Sequence, residues 1–98
     1  MIANVLTIAG TDPSGGAGIS ADLKTFSALG TYGMAAITAV VAQNTMGVRS
    51  FQPLEPSFVG DQIDAVFEAG KVDAVKIGMV ATAAIADVIA DRLAKYPK

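Results

Sequence analysis

The sequence has no cysteine and no histidine. Without cysteine there are no disulfides, no thiolate nucleophile and no zinc–thiolate site. Without histidine the commonest general base and the commonest metal ligand are missing. Charge is scarce too. Only 16% of the residues are Asp, Glu, Lys or Arg, and the formal net charge is −2. The basic residues are scattered and leave no electrostatic footprint for nucleic acid or an anionic membrane. The longest apolar run, Met34 to Ala42, is interrupted by Thr38, and a membrane helix needs about 18 or more apolar residues. The N-terminus has neither a basic n-region nor a cleavage site, so no secretion signal is expected. The expectation is a soluble cytoplasmic protein with no nucleic-acid and no membrane partner. Its chemistry must rest on carboxylates, amides, hydroxyls, backbone N–H groups or lysine.

What is present is apolar. The chain has 98 residues, 52% of them hydrophobic, which excludes intrinsic disorder and suffices for one domain with a radius of gyration of about 13 Å. Residues Asn4 to Gly10 read as a strand buried on both faces. Thr11 to Gly18 (TDPSGGAG) is loop. Ile19, Leu23, Phe26 and Leu29 recur at helical spacing, with Gly30 at the C-terminal end. Met34 to Ala42 predicts a second buried strand. Val48 to Leu54 predicts a short exposed strand or flap, because Pro53 limits pairing. A second helix begins near Pro56 and Ser57, carries Val59, Ile63, Val66 and Phe67 on its apolar face, and stops at Gly70. Asp73 to Met79 is the third main strand. Thr82 caps a third helix with the stripe Ile85, Val88, Ile89, Leu93 and Tyr96, ended by Pro97. Asp91 and Lys95 stand at the i,i+4 spacing of an ion pair.

Strands alternating with helices imply an α/β fold: a parallel sheet with helices on both faces and right-handed crossovers. Such sheets average about five or six strands, and three strong ones are found. Residues 1–98 are therefore expected to be the N-terminal part of a single larger α/β domain. An unpaired edge at the third strand leads to the further expectation of a homo-oligomer, or of pairing with a missing C-terminal half.

In open α/β sheets, ligands bind beyond the carboxyl ends of the strands. Gly10-Thr11-Asp12, Gln43-Asn44-Thr45 and Gly78-Met79 lie there. The first 54 residues hold only two carboxylates, Asp12 and Asp22, and both flank the glycine-rich loop. That loop is not a P-loop: Gly16-Ala17 stand where the phosphate-reaching Lys and the Mg²⁺-binding hydroxyl are required. Gly16 to Ala21 fits G-x-G-x-x-A, but the strand-to-helix loop is too long for a dinucleotide site. The acid expected about 20 residues on is also missing, with Gln43 and Asn44 in its place. The glycines fit two roles: a tight turn with close helix–sheet packing, or close approach of backbone to a flat ligand. A side-chain amide offers a donor and an acceptor side by side, which suits the edge of an aminopyrimidine. Gln43 and Asn44 suit equally a solvated strand end or an Asx-turn. Met79 is either core or ligand wall. Lys76 is either a functional lysine or a snorkelling one paired with a carboxylate.

The stretch Leu6 to Val48, with TIAGTDPSGGAGI and AVVAQNT, closely resembles the start of the hydroxymethylpyrimidine/phosphomethylpyrimidine kinases of thiamine biosynthesis. EPSF (Glu55 to Phe58) and KIGMV (Lys76 to Val80) continue the match. The resemblance implies a ribokinase-like α/β fold. It implies phosphoryl transfer from ATP, with Mg²⁺, to the hydroxymethyl group of an aminopyrimidine and then to its monophosphate. It also implies that Gly10, Asp22, Gln43 and Met79 line the pyrimidine pocket, with Gln43 reading the ring edge and Asp22 accepting from an exocyclic amine or hydroxyl. In the family, the anion hole, the catalytic residue and most of the ATP site lie in a C-terminal half. No catalytic and no metal-binding residue is therefore expected among these 98. The rival readings are a pyridoxal-type vitamin kinase, a non-enzymatic binding module and, more distantly, a dehydrogenase fragment.

Overall fold

The computed structural model describes residues 2–96, with a Cα radius of gyration of 13.2 Å. Strand β1 (Asn4–Ala9) lies between β2 (Tyr32–Ile37) and β5 (Ala74–Ile77), parallel to both. Its Leu6, Thr7 and Ile8 are fully buried, as a central strand covered on both faces requires. Helix α1 (Gly18–Ala28) packs on β1 and β2 from one side. Gly33 of β2 admits it closely: a Cβ there would lie 2.8 Å from Leu23 Cδ2. Helices α2 (Pro56–Ala69) and α3 (Ala83–Ala94) pack against each other. Val59, Ile63, Ile85 and Ile89 from these helices form the main core with Leu6, Ile8 and Ala36. No helix among the described residues is long and apolar enough to cross a membrane.

The helix boundaries follow the local chemistry. The backbone turns left-handed at Gly30 (φ +77°) after α1, a conformation that glycine adopts without strain. Pro56 opens α2, where its missing N–H would be unpaired anyway. The Thr82 hydroxyl accepts from Ile85 N at 3.1 Å and caps α3. Pro97, expected to end α3, lies outside the described residues.

Three expectations need correction. Leu29 does not extend the apolar face of α1, whose residues are only partly buried; it follows the last helical residue and is exposed. Asp91 pairs with Arg92 at 2.7 Å rather than with Lys95, and Arg92 also holds Asp64 at 3.0 Å. The run Met34 to Ala42 is not one strand. It divides at Thr38 into β2 and β3 (Ala39–Asn44), which belong to different sheets.

Thr38 explains the division. Its N–H donates to the Ala9 carbonyl, its carbonyl accepts from Leu54 N, and its hydroxyl donates to the Met79 carbonyl at 2.7 Å. All its polar groups are engaged at the end of the parallel sheet, and it is fully buried. Past it, β3 pairs antiparallel with β4 (Gly47–Pro53) in a two-stranded ribbon. Strand β4 is exposed throughout, in agreement with the flap expected there. The freed edge of β2 is finished by the Gln62 amide, which accepts from Ile37 N at 2.8 Å and donates to Ile37 O at 2.9 Å.

Candidate functional site

Gly10 follows β1, Gly78 and Met79 follow β5, and Gln43 comes from the ribbon. Together with Gly18 and Lys76 they line a cavity of about 160 Å³. A cavity of about 150 Å³ is known to hold one benzene ring, so this one has the size for a single flat ring. Alternation along β3 puts Ala39, Val41 and Gln43 on its inward face. Gln43 is thereby turned toward the end of the parallel sheet.

Two glycines shape this cavity. A Cβ on Gly10 would sit 3.0 Å from Met79 Sδ and 3.2 Å from Val41 Cγ2, so a side chain there would take up the space between sheet and ribbon. Gly18 opens α1 at φ +60°, and a Cβ on it would run into the Gly10 carbonyl. That carbonyl accepts from Ile19 N at 3.0 Å, which ties the helix start to the strand end. Thr11 joins the ribbon to the same point: its N–H donates to Ala39 O, and its hydroxyl accepts from Val41 N at 2.9 Å.

A wider cleft of about 390 Å³ continues past Gln43, between the glycine-rich loop and the ribbon tip. Buried Asp12 organises the loop. One carboxylate oxygen accepts from Ser14 N at 2.9 Å and from the Ser14 hydroxyl at 2.7 Å, and the other accepts from Gly16 N at 3.1 Å. The Ser14 hydroxyl, aided by these backbone amides, holds the Asp12 carboxyl below the ordinary carboxylate range. The amides of Ser14 and Gly16 are thus committed to an internal anion. A nucleotide phosphate would have to compete with Asp12 for them. Nor do any three Asp or Glu side chains cluster as metal ligands among the described residues.

Asp22, expected in the pocket, is not among the residues lining the cavity. Its carboxylate accepts from the Thr7 hydroxyl at 2.7 Å and from the Lys76 ammonium at 3.0 and 3.1 Å. Lys76, which does line the cavity, connects Asp22 to it. Asn44 is an Asx-turn residue, its Oδ1 accepting from Met46 N at 2.8 Å. The amide pair therefore divides: Gln43 faces the cavity and Asn44 shapes the ribbon tip. Met79 lines the cavity while remaining 40% exposed. Sequence reasoning missed Thr38 and Thr11 as the residues that fasten ribbon to sheet. The only signal for Thr38 was a hydroxyl in an apolar run, and that for Thr11 its place at a strand end.

Residues 12–98 match the family model described as phosphomethylpyrimidine kinase. The chain belongs to this family. It is 61% identical, over 93 residues, to the hydroxymethylpyrimidine/phosphomethylpyrimidine kinase of Escherichia coli; the match covers 95% of this chain and 35% of the relative. The crystal structure of phosphomethylpyrimidine kinase from Clostridium difficile 630 superimposes with a TM-score of 0.92 at 56% identity, covering 96% of this chain and 41% of that one. A pyridoxal kinase from Staphylococcus aureus, in complex with AMP-PCP and pyridoxal, superimposes with a TM-score of 0.84 at 39% identity, covering 97% and 36%. The chain thus spans about a third of the curated relative's length, and its fold is the ribokinase-like α/β arrangement of these vitamin kinases.

Proposed function

We propose that this chain supplies the substrate pocket of a cytoplasmic hydroxymethylpyrimidine/phosphomethylpyrimidine kinase, and that the cavity beyond β1 and β5 receives the aminopyrimidine. In this reading residues 1–98 are the N-terminal part of one ribokinase-like domain. The observation that carries it is the meeting of Gly10, Gln43 and Met79 around a space of ring size. Gly10 lets backbone lie against the ring. The Gln43 amide pairs with the aminopyrimidine edge, Met79 covers a face, and Asp22 fixes the polar side through Lys76. ATP, with Mg²⁺, is the phosphoryl donor. The name of the pyridoxal kinase neighbour, bound to AMP-PCP, supports a nucleotide donor for the superfamily. Phosphoryl transfer depends on positioning and on stabilising developing charge. Those groups belong, in this reading, to the part of the relatives that this chain does not span. The exposed edge at β5 is then covered by that part or by a second copy of the chain.

Calorimetric titration with 4-amino-5-hydroxymethyl-2-methylpyrimidine and with pyridoxal tests this reading. Preferential binding of the pyrimidine supports it. Preference for pyridoxal favours a pyridoxal-type kinase, which the neighbouring structure keeps as the second reading. Binding of neither leaves the non-enzymatic module. Robust turnover by residues 1–98 alone, with ATP and Mg²⁺, would overturn the assignment of the catalytic groups to another part of the family fold.

A further inference from the structure

Among the described residues, Lys76 is the one charged side chain lining the ring-sized cavity, and its surroundings fix how its protons are used. Thr7 and Lys76 are register partners on adjacent strands β1 and β5, so they stand side by side on one face of the sheet. Between them they grip Asp22 of α1: Thr7 donates at 2.7 Å, and Lys76 bridges both carboxylate oxygens at 3.0 and 3.1 Å. An ammonium has three N–H donors. Two are committed to Asp22 and one is left. Lys76 is half-exposed, and Gly78 leaves it room: a Cβ at position 78 would lie 3.2 Å from Nζ and 3.0 Å from the Ala9 Cβ.

We propose that Lys76 is a specificity-determining residue of this pocket, its remaining N–H donating to an unprotonated ring nitrogen of the bound heterocycle while Thr7 and Asp22 hold the ammonium in place. The proposal rests on the reading of the cavity as a pyrimidine site and adds to it the group that reads one ring nitrogen. A neutral lone-pair acceptor suits the place better than a phosphate. The ammonium's charge is already met by Asp22, and a phosphate here would lie close to that carboxylate and be repelled by it. Gln43 then reads the amino edge from the ribbon, and Lys76 reads a ring nitrogen from the sheet.

The test is calorimetric titration of the full-length protein carrying these residues with 4-amino-5-hydroxymethyl-2-methylpyrimidine and with its two analogues in which one or the other ring nitrogen is replaced by CH. The wild type is expected to lose about tenfold or more in affinity for the analogue lacking the ring nitrogen remote from the amino group, the scale of a hydrogen bond from a charged donor, because Gln43 already pairs with the amino group and the nitrogen beside it. Lys76→Met is expected to weaken binding of the parent pyrimidine by the same factor and to abolish the discrimination between parent and that analogue. Discrimination that persists in Lys76→Met, or unchanged affinity for the parent, overturns the assignment of Lys76 and leaves the pyrimidine site standing. If Lys76→Met does not fold by circular dichroism, the wild-type comparison decides, and undiminished affinity for the analogue lacking the remote ring nitrogen overturns the proposal. A wild type that binds no pyrimidine overturns the functional reading and this proposal with it.

Discussion

The two β-structures of this chain share one apolar run and meet opposite fates. Strand β2 takes the first part of Met34 to Ala42 into a parallel sheet whose central strand has Leu6, Thr7 and Ile8 fully buried. Strand β3 takes the second part into a ribbon whose partner, β4, is exposed along its length. Composition does not separate them. What separates them is where the backbone hydrogen bonds go at Thr38, which closes the ladder to β1 and ties the chain to Leu54 and Met79. The candidate site lies on that seam. Gly10 and Met79 come from the buried half and Gln43 from the exposed half. Stability should therefore reside in one region, and ligand recognition should require both.

The largest expected effect is at the seam itself. Gly18→Ala forces a non-glycine residue into left-handed backbone and drives a methyl group into the Gly10 carbonyl. The expected loss is about 4 kcal/mol, combining backbone strain of about 1–3 kcal/mol with an overpacking cost of similar size. Urea unfolding measures it, and a loss below about 1 kcal/mol would mean that α1 and β1 are not fastened there. Next comes the comparison of the two regions. Ile63→Ala in the core under the parallel sheet should cost about 3 kcal/mol, whereas Phe51→Ala in the ribbon should cost about 1 kcal/mol or less. Equal losses would show that the ribbon is as much a part of the stable core as the sheet. Gly10→Ala sharpens the contrast from the other side. The new methyl group meets the flexible end of Met79 at 3.0 Å but also the buried Val41 side chain at 3.2 Å, so the stability loss should be about 1 kcal/mol, at the low end of overpacking. Pyrimidine affinity in calorimetry should fall about tenfold as well, because the methyl group displaces Met79, which lines the cavity.

The buried half was legible in the sequence because its signals are local and repeated. Continuous apolar strands, helical stripes and the Thr82 cap each state their role within a few residues. The strand-end rule likewise brought Gly10 and Met79 to one place, whereas Gln43 reaches it from the antiparallel ribbon and not from the end of a parallel strand. The seam was not legible. A single threonine inside an apolar run reads as a tolerated strand residue, and only its three long-range hydrogen bonds reveal it as the branch point. Asp22 illustrates a second limit. Its place in α1 near the strand ends was readable, but its capture by Thr7 and Lys76 depends on the register of β1 against β5, which a one-dimensional pattern does not contain.

The smallest effect concerns the glycine-rich loop and depends on pH. The Ser14 hydroxyl and the amides of Ser14 and Gly16 hold the Asp12 carboxyl below its ordinary value of 3.8. A carboxylate with a depressed value in the folded chain contributes stability that is fully present above its unfolded value. That contribution fades as pH falls through the folded value. The stability gap between wild type and Asp12→Asn should therefore be constant above about pH 5, then shrink as the solution is acidified below the unfolded value of about 3.9. Thermal melts of both proteins between pH 6 and pH 2 measure the gap directly. Phe51→Ala supplies the contrast, since no carboxylate changes there and its small gap should stay flat over the same range. A constant gap for Asp12→Asn would mean that the loop is held by its backbone turns alone, and that the seam is organised by glycine rather than by the internal anion.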